Sequence, residues 1–82
     1  MVLAYVLINT ELGEEGNILK ELRSIESVKE AYMTYGVYDM IAIAEAEDRE
    51  KLKEIVTSKI RRLKDIRSTL TMIAIESKAP SS

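Results

Sequence analysis

The chain has 82 residues, a net charge of −2 at pH 7 and neither cysteine nor histidine. Disulfides are therefore excluded, a zinc site built from the usual ligands is nearly excluded, and the commonest nucleophile–base pairs of enzymes cannot be assembled. The charge balance gives no global attraction to nucleic acid or to anionic lipid.

The first predicted element is a strand over residues 2–8, a continuous apolar run. Leu3, Tyr5 and Leu7 alternate with residues that are also apolar, which predicts an interior strand covered on both faces. The run is too short to span a membrane and lacks the basic flank of a signal peptide. We therefore expect a cytoplasmic protein without membrane contact.

Two helices are predicted by apolar residues at helical spacing. The first follows the polar, glycine-bearing residues 9–16 and ends at residues 26–27. The second begins after Asp48, a good N-cap residue, and ends at residues 64–65. Its apolar stripe consists of Leu52, Ile55, Val56, Ile60 and Leu63.

The remaining strands are predicted over residues 28–35, 39–46 and 66–76. Alternation in the second strand places Val28, Glu30, Tyr32 and Thr34 on one face and Lys29, Ala31, Met33 and Tyr35 on the other. Its mixed character is typical of an edge strand. A row of small residues, Ala42, Ala44 and Ala46, shares one face of the third strand with Met40 and indicates close approach of another element.

The order strand, helix, strand, strand, helix, strand predicts an α+β, ferredoxin-like βαββαβ fold. Right-handed crossovers place the first and third strands in the middle of a four-stranded antiparallel sheet, with both helices on one face. The other face would expose several hundred Å² of apolar surface, which monomers seldom do. A core of this size also needs outside support. We therefore expect a homodimer formed sheet to sheet.

Residues 35–39, Tyr-Gly-Val-Tyr-Asp, form the turn between the second and third strands. Gly36 is explained by a positive φ angle, Asp39 by an Asx-type turn, and the tyrosines by cross-strand packing. The alternative is a ligand site in which the Asp39 carboxylate binds an ammonium group and backbone amides near Gly36 approach the ligand.

Two further segments have structural and functional interpretations. Thr69 and Thr71 suit a strand by propensity, but their hydroxyls share a face and could hold a carboxylate or an amide. A basic cluster could contact phosphates, or could complement a helix dipole. This cluster consists of Lys59, Arg61, Arg62, Lys64 and Arg67.

Residues 28–48 resemble the signature of the C-terminal effector domain of Lrp/AsnC-family transcription regulators, the regulator-of-amino-acid-metabolism (RAM) domain. The Gly-x-Tyr-Asp turn of that family is matched by Gly36, Val37, Tyr38 and Asp39, and its Ser-Thr-x-Thr pattern by residues 68–71. The resemblance covers a single domain over residues 1–77 and leaves residues 78–82 as a polar tail, which we expect to be disordered.

The resemblance implies dimers that join into larger rings, often octamers, with amino-acid effectors bound between dimers near the turn. Carried onto this chain, the effector site comprises Tyr35, Gly36, Val37, Tyr38 and Asp39, with Thr69 and Thr71 as supporting contacts. We expect no cofactor and no metal.

The family's DNA-binding helix-turn-helix domain has no counterpart in these residues. We therefore expect a stand-alone effector module that acts through full-length Lrp/AsnC-type regulators and does not bind DNA directly. Two alternatives remain open. One is a small ferredoxin-like dimeric enzyme of the monooxygenase or isomerase type, with Glu45 and the tyrosines as its ionisable groups. The other is an architectural subunit that binds no ligand.

Overall fold

The computed structural model describes residues 1–74, so the predicted tail, residues 78–82, lies outside the described residues. Four strands, two α-helices and one π-helical turn make up this part of the chain. In chain order they are β1 (Val2–Thr10), α1 (Glu15–Ser24), β2 (Val28–Met33), β3 (Met40–Ala46), α2 (Arg49–Ile55), the π-helical turn (Val56–Ile60) and β4 (Ile66–Ile73).

The four strands form one antiparallel sheet in the order β2-β3-β1-β4. Tyr5 of β1 pairs with Ile43 of β3 on one side and with Met72 of β4 on the other. The ferredoxin-like fold, the central positions of β1 and β3 and the edge position of β2 are therefore confirmed. Within residues 1–74, no helix has the length and apolarity needed to cross a membrane.

The core lies between the two helices and one face of the sheet. Alternate residues of β1 and β3 are buried there, including Ile8 and Met40, which are fully enclosed. Leu22 of α1 and Leu52 of α2 close the core from the helix side. The small-residue row of β3 lies in this layer, which confirms the expected close approach of another element.

The opposite face of the sheet, called the open face below, is not covered by either helix. Its residues in the central strands are half-buried, whereas Tyr32, Leu70 and Met72 are each about half exposed. The open face consists of Leu3, Tyr5, Leu7, Asn9, Glu30, Tyr32, Ile41, Ile43, Glu45, Ser68, Leu70 and Met72. The sequence predicted an apolar surface on this face. The sheet-to-sheet dimer that was inferred from it stays a prediction.

A β-bulge in β2 makes the predicted alternation of that strand wrong. Val28 pairs with Ala44, and Glu30 pairs with Ile43. Between these two pairs β2 advances by two residues and β3 by only one, so β2 contains one extra residue. Val28 and Ala31 consequently both face the helices and are buried, while Lys29 is exposed at the bulge. A bulge inverts the side-chain pattern after it, and the sequence carries no glycine here to announce it.

Two element boundaries also differ from the predictions. The second helix ends earlier than expected, because the backbone N–H of Arg61 donates to the carbonyl of Val56, five residues back, and the chain then leaves the helix before Leu63. Strand β2 ends at Met33 because Thr34 takes part in closing the following loop. The predicted end of the last strand at residue 76 lies outside the described residues.

Candidate functional site

The loop between β2 and β3 is closed by Thr34. Its backbone N–H donates to the carbonyl of Asp39 at 2.9 Å, and its hydroxyl donates to the carbonyl of Tyr38 at 2.6 Å. Gly36 has a φ of +140°, a conformation that L-residues with a side chain rarely adopt. The expected positive φ at this glycine is therefore confirmed.

Asp39 joins the loop to the neighbouring strand β1. Its backbone N–H donates to the carbonyl of Ile8 at 2.9 Å and to Oδ1 of Asn9 at 3.2 Å. Its carboxylate oxygen Oδ2 accepts a hydrogen bond from the backbone N–H of Thr10 at 2.9 Å. The carboxylate therefore caps a neighbouring strand instead of closing the predicted Asx-type turn.

The half-buried carboxylate of Asp39 also lines a cavity of about 400 Å³ at the end of the sheet. The other lining residues are Asn9, Val37, Arg67 and Ser68. Nδ2 of Asn9 lies 3.4 Å from Oγ of Ser68, so these two side chains link β1 and β4 at the cavity. We call this space the Asp39 cleft; it contains a carboxylate, an amide, a hydroxyl and a guanidinium group.

Arg67 reaches the Asp39 cleft because of a second bulge. Asn9 pairs with Ser68 and Thr10 with Ile66, which leaves Arg67 without a partner residue in β1. Bulges of this kind re-aim a side chain and are frequent next to functional sites. Nε of Arg67 lies 3.9 Å from a carboxylate oxygen of Glu11, but both side chains are more than half exposed, so this ion pair contributes little to stability.

The structure brings only part of the predicted effector site together. Val37 and Asp39 line the cleft, Tyr38 is half-buried beside them in the chain, and Tyr35 is fully exposed at the tip of the loop. Thr69 and Thr71 follow in β4 but face the helix side of the sheet, where they pair with Ile8 and Val6. Thr71 lines a different cavity.

Three lining residues of the cleft were absent from the predicted site. Asn9 is the first polar residue after the apolar run of β1, and Ser68 opens the Ser-Thr-x-Thr segment, so both had a recognisable signal in the sequence. Arg67 belongs to the basic cluster and has no link in the sequence to the turn. The other cations of that cluster do not line the cleft, and their contact with nucleic acid stays an untested alternative.

The open face carries a tyrosine whose titration is perturbed. The hydroxyl of Tyr32 donates to Oε1 of Glu30, two residues earlier in β2. This hydrogen bond and the negative charge of Glu30 raise the pKa of the Tyr32 phenol, and the positive charge of Arg23 opposes them. Among residues 1–74, no group of three acidic side chains is arranged to hold a metal ion.

Comparison with known proteins gives one family and a consistent set of structures. The family described as "Lrp/AsnC ligand binding domain" matches residues 3–82. The crystal structure of FFRP-DM1 is 41% identical over 92% of this chain and all of its own, with a TM-score of 0.87. The hypothetical protein PHS023 from Pyrococcus horikoshii is 40% identical over 95% of this chain and 94% of its own, with a TM-score of 0.88.

The fold also recurs inside a larger protein. Escherichia coli AsnC is 24% identical to this chain, covers 99% of it with a TM-score of 0.86, and is itself covered over 55% of its length. At this identity the likeness establishes the shared fold. No curated protein sequence matches the chain.

Proposed function

The chain belongs to the Lrp/AsnC ligand-binding domain family, and we propose that it is a sensor of a free amino acid. Family membership makes it an effector-binding regulatory module, which agrees with the resemblance found in residues 28–48. We assign amino-acid binding to the Asp39 cleft, in a role that is not enzymatic. The family supports binding over the catalytic alternative.

The observation that carries the proposal is the presence of both charges in one cleft. An amino acid is a zwitterion, so its site needs an acceptor for the ammonium group and a donor for the carboxylate. Oδ2 of Asp39 is occupied by Thr10, while no hydrogen-bond partner for Oδ1 occurs among residues 1–74. We propose that Oδ1 binds the ammonium group, and that Arg67 together with backbone amides near Gly36 binds the carboxylate.

The remaining predicted residues complete the cleft from its outer side. Tyr35 and Val37 are large residues of the β2–β3 loop that are almost fully exposed, and Val37 lines the cleft. A second dimer placed against this loop would cover them and enclose the ligand, as the family resemblance implies. In this arrangement Tyr38 shapes the wall. Thr69 and Thr71 face the helix side of the sheet and not the cleft of their own subunit, so we propose them as supporting contacts only for a ligand held by a neighbouring subunit at that edge.

Assembly is the second part of the proposal. We propose that two copies associate through the open face and that these dimers join into a larger ring, of which an octamer is one form. A ligand changes such an equilibrium only when it binds one state more tightly, and a site between dimers meets this condition. The amino acid would thereby control assembly with DNA-binding regulators of the Lrp/AsnC type.

The proposal is tested by calorimetric titration of the common amino acids into the protein and into the Asp39→Asn variant. Asparagine keeps an oxygen that can accept from Thr10, so the fold is retained while the charge is lost. We expect at least one amino acid to bind with a dissociation constant below about 1 mM, and the variant to bind it about tenfold or more weakly, because a charge-assisted hydrogen bond is lost.

The matched control is Glu47→Gln, which makes the same change of charge at an exposed residue that does not line the cleft. It should bind the amino acid as the unmodified protein does. The proposal is wrong if no amino acid binds at several millimolar, or if Asp39→Asn and Glu47→Gln behave alike.

A further inference from the structure

A second cavity, of about 290 Å³, lies between the helical layer and the edge strand β4, apart from the Asp39 cleft. It opens because α2 packs over the central strands while the helix-facing row of β4 is only partly covered. That row has small hydroxyl residues at Thr69 and Thr71, followed by Ile73. Thr71 is exposed, and Thr69 and Ile73 are half-buried.

The floor of this cavity is apolar. Leu52 of α2 is fully buried, Val56 at the start of the π-helical turn is nearly so, and Ile73 closes the β4 side. These three side chains present branched aliphatic groups towards one space. A volume of about 290 Å³ is at the lower end of the range for small-molecule sites, which suits a ligand of about ten non-hydrogen atoms.

The rim of the same cavity is cationic and rich in hydroxyls. Lys53 and Arg61 contribute the charges, and Thr57 and Thr71 contribute the hydroxyls. None of the described residues that line the cavity is Asp or Glu. The acidic residues of α2 line a separate depression along the helix, together with Lys51.

The cations and one of the hydroxyls lie along one side of α2 and the π-helical turn that follows it. The N–H of Arg61 donates to the carbonyl of Val56 at 2.9 Å, and the hydroxyl of Ser58 donates to the carbonyl of Glu54 at 2.6 Å. Lys53, Thr57 and Arg61 follow one another at intervals of four residues, so Arg61 lies on the same side of the helix as Lys53, about two turns later.

We propose that this cavity is a second ligand site, which binds a small aliphatic carboxylate without an ammonium group. The apolar floor takes a short branched chain, the hydroxyls and cations take the carboxylate, and the absence of a lining acid disfavours a zwitterion. A branched 2-oxo acid has this chemistry. The Asp39 cleft has the opposite preference, since it offers an acid to an ammonium group.

The test is a titration of the ¹⁵N-labelled full chain with 4-methyl-2-oxopentanoate, followed by backbone amide shifts. We expect saturable shifts in residues 52–61 and 71–73, with a dissociation constant of about 0.1–1 mM, because the rim is open to solvent. 4-Methylpentan-2-one, which has a methyl group in place of the carboxylate, and leucine, which has an ammonium group in place of the 2-oxo oxygen, should both bind this cavity at least about fivefold more weakly.

The decisive variant is the double substitution Lys53→Gln and Arg61→Gln, and the matched control is Lys59→Gln with Arg62→Gln. Both remove two charges from exposed positions on the same stretch of chain, but only the first pair lines the cavity. The first double variant should weaken 2-oxo acid binding about tenfold or more, and the second less than about twofold. The amide spectra without ligand show that each variant is folded.

Three outcomes would overturn the proposal: no shifts at about 10 mM probe, shifts centred on Asn9, Asp39 and Ser68 instead, or equal weakening by the two double variants. The last outcome would mean a general attraction to positive charge and not a site. The proposal does not depend on amino-acid binding at the Asp39 cleft. Asp39→Asn should leave 2-oxo acid binding unchanged, so failure of either site can be recognised separately.

Discussion

The carboxylate of Asp39 accepts a hydrogen bond from the backbone N–H of Thr10 at 2.9 Å, and this contact joins the β2–β3 loop to β1. Thr10 is buried, so its N–H has no access to bulk water. At this end of the sheet the carboxylate oxygen of Asp39 is the acceptor for the Thr10 N–H, a role that a backbone carbonyl fills elsewhere in the sheet. Asp39 thus has a structural role in addition to the binding role proposed for it.

Removal of the Asp39 carboxylate should therefore destabilise the fold. In Asp39→Ala the Thr10 N–H loses its acceptor, and we expect the free energy of unfolding to fall by about 1–3 kcal/mol. Asp39→Asn keeps an acceptor and should lose less than about 1 kcal/mol. Urea denaturation followed by circular dichroism measures both values.

The comparison of the two variants is the control for this prediction. Equal losses would mean that the charge of Asp39, and not its hydrogen bond to Thr10, stabilises the loop. For the same reason Asp39→Ala is a poor test of ligand binding, because weaker binding by that variant could follow from a disordered loop.

The fold was predictable because its determinants are local patterns. An apolar run on both faces of β1 predicted a central strand, and alternation in β3 identified the small-residue row under the helices. Each pattern reflects the burial of one element against others, and its period is fixed by backbone geometry. The element order then left few topologies open.

The site and the faces of β2 were less predictable because two bulges decide which side chains each of them contains. The bulge opposite Thr10 directs Arg67 into the Asp39 cleft, and the bulge at Lys29 brings Val28 and Ala31 to the same face. Neither is marked by glycine or proline. The pairing of Asp39 with Thr10 joins positions that are 29 residues apart in the chain, which a pattern of near neighbours cannot indicate.

Asp65 offers a test of backbone strain, since its φ of +68° lies in the left-handed region. The conformation is held because its carbonyl accepts from the N–H of Glu11 at 2.8 Å. Aspartate and asparagine tolerate this region better than most residues, and glycine tolerates it best. We expect Asp65→Val to cost about 1–2 kcal/mol and Asp65→Gly to be neutral or stabilising.

Thermal and urea unfolding of the two Asp65 variants should show this order. Asp65→Asn is the control, because it removes the charge and keeps the tolerance for positive φ, and it should remain within about 0.5 kcal/mol of the unmodified protein. If Asp65→Asn were as unstable as Asp65→Val, the charge and not the backbone would explain the residue.

The proposed sheet-to-sheet dimer predicts a sharp effect at Met72. This residue is about half exposed on the open face, so a lysine there is compatible with the folded monomer. In the dimer the same ammonium group would be buried without a partner, which costs several kcal/mol. Met72→Lys should therefore shift the protein to monomers in sedimentation equilibrium at micromolar concentration.

Leu12→Lys is the matched control for this experiment. Leu12 is 94% exposed and lies in the segment between β1 and α1, away from the open face. It should leave the dimer intact. If both variants remain dimeric, the dimer does not use the open face, and if the unmodified protein is already monomeric, no such dimer exists.

The hydrogen bond between Tyr32 and Glu30 predicts a dependence of stability on alkaline pH. Because Glu30 raises the pKa of Tyr32 in the folded state, the protonated phenol is favoured by folding. The associated stabilisation is present below the pKa of the unfolded chain, about 10, and is lost as the pH rises through the higher pKa of the folded protein.

In Glu30→Gln the phenol should titrate at a lower pH than in the unmodified protein. The aromatic ¹³C shifts of Tyr32, assigned with a Tyr32→Phe variant, report its titration separately from the three other tyrosines. Glu45→Gln, on the same face but without a hydrogen bond to Tyr32, should leave that pKa in place. An unchanged titration in Glu30→Gln would show that the hydrogen bond does not persist in solution.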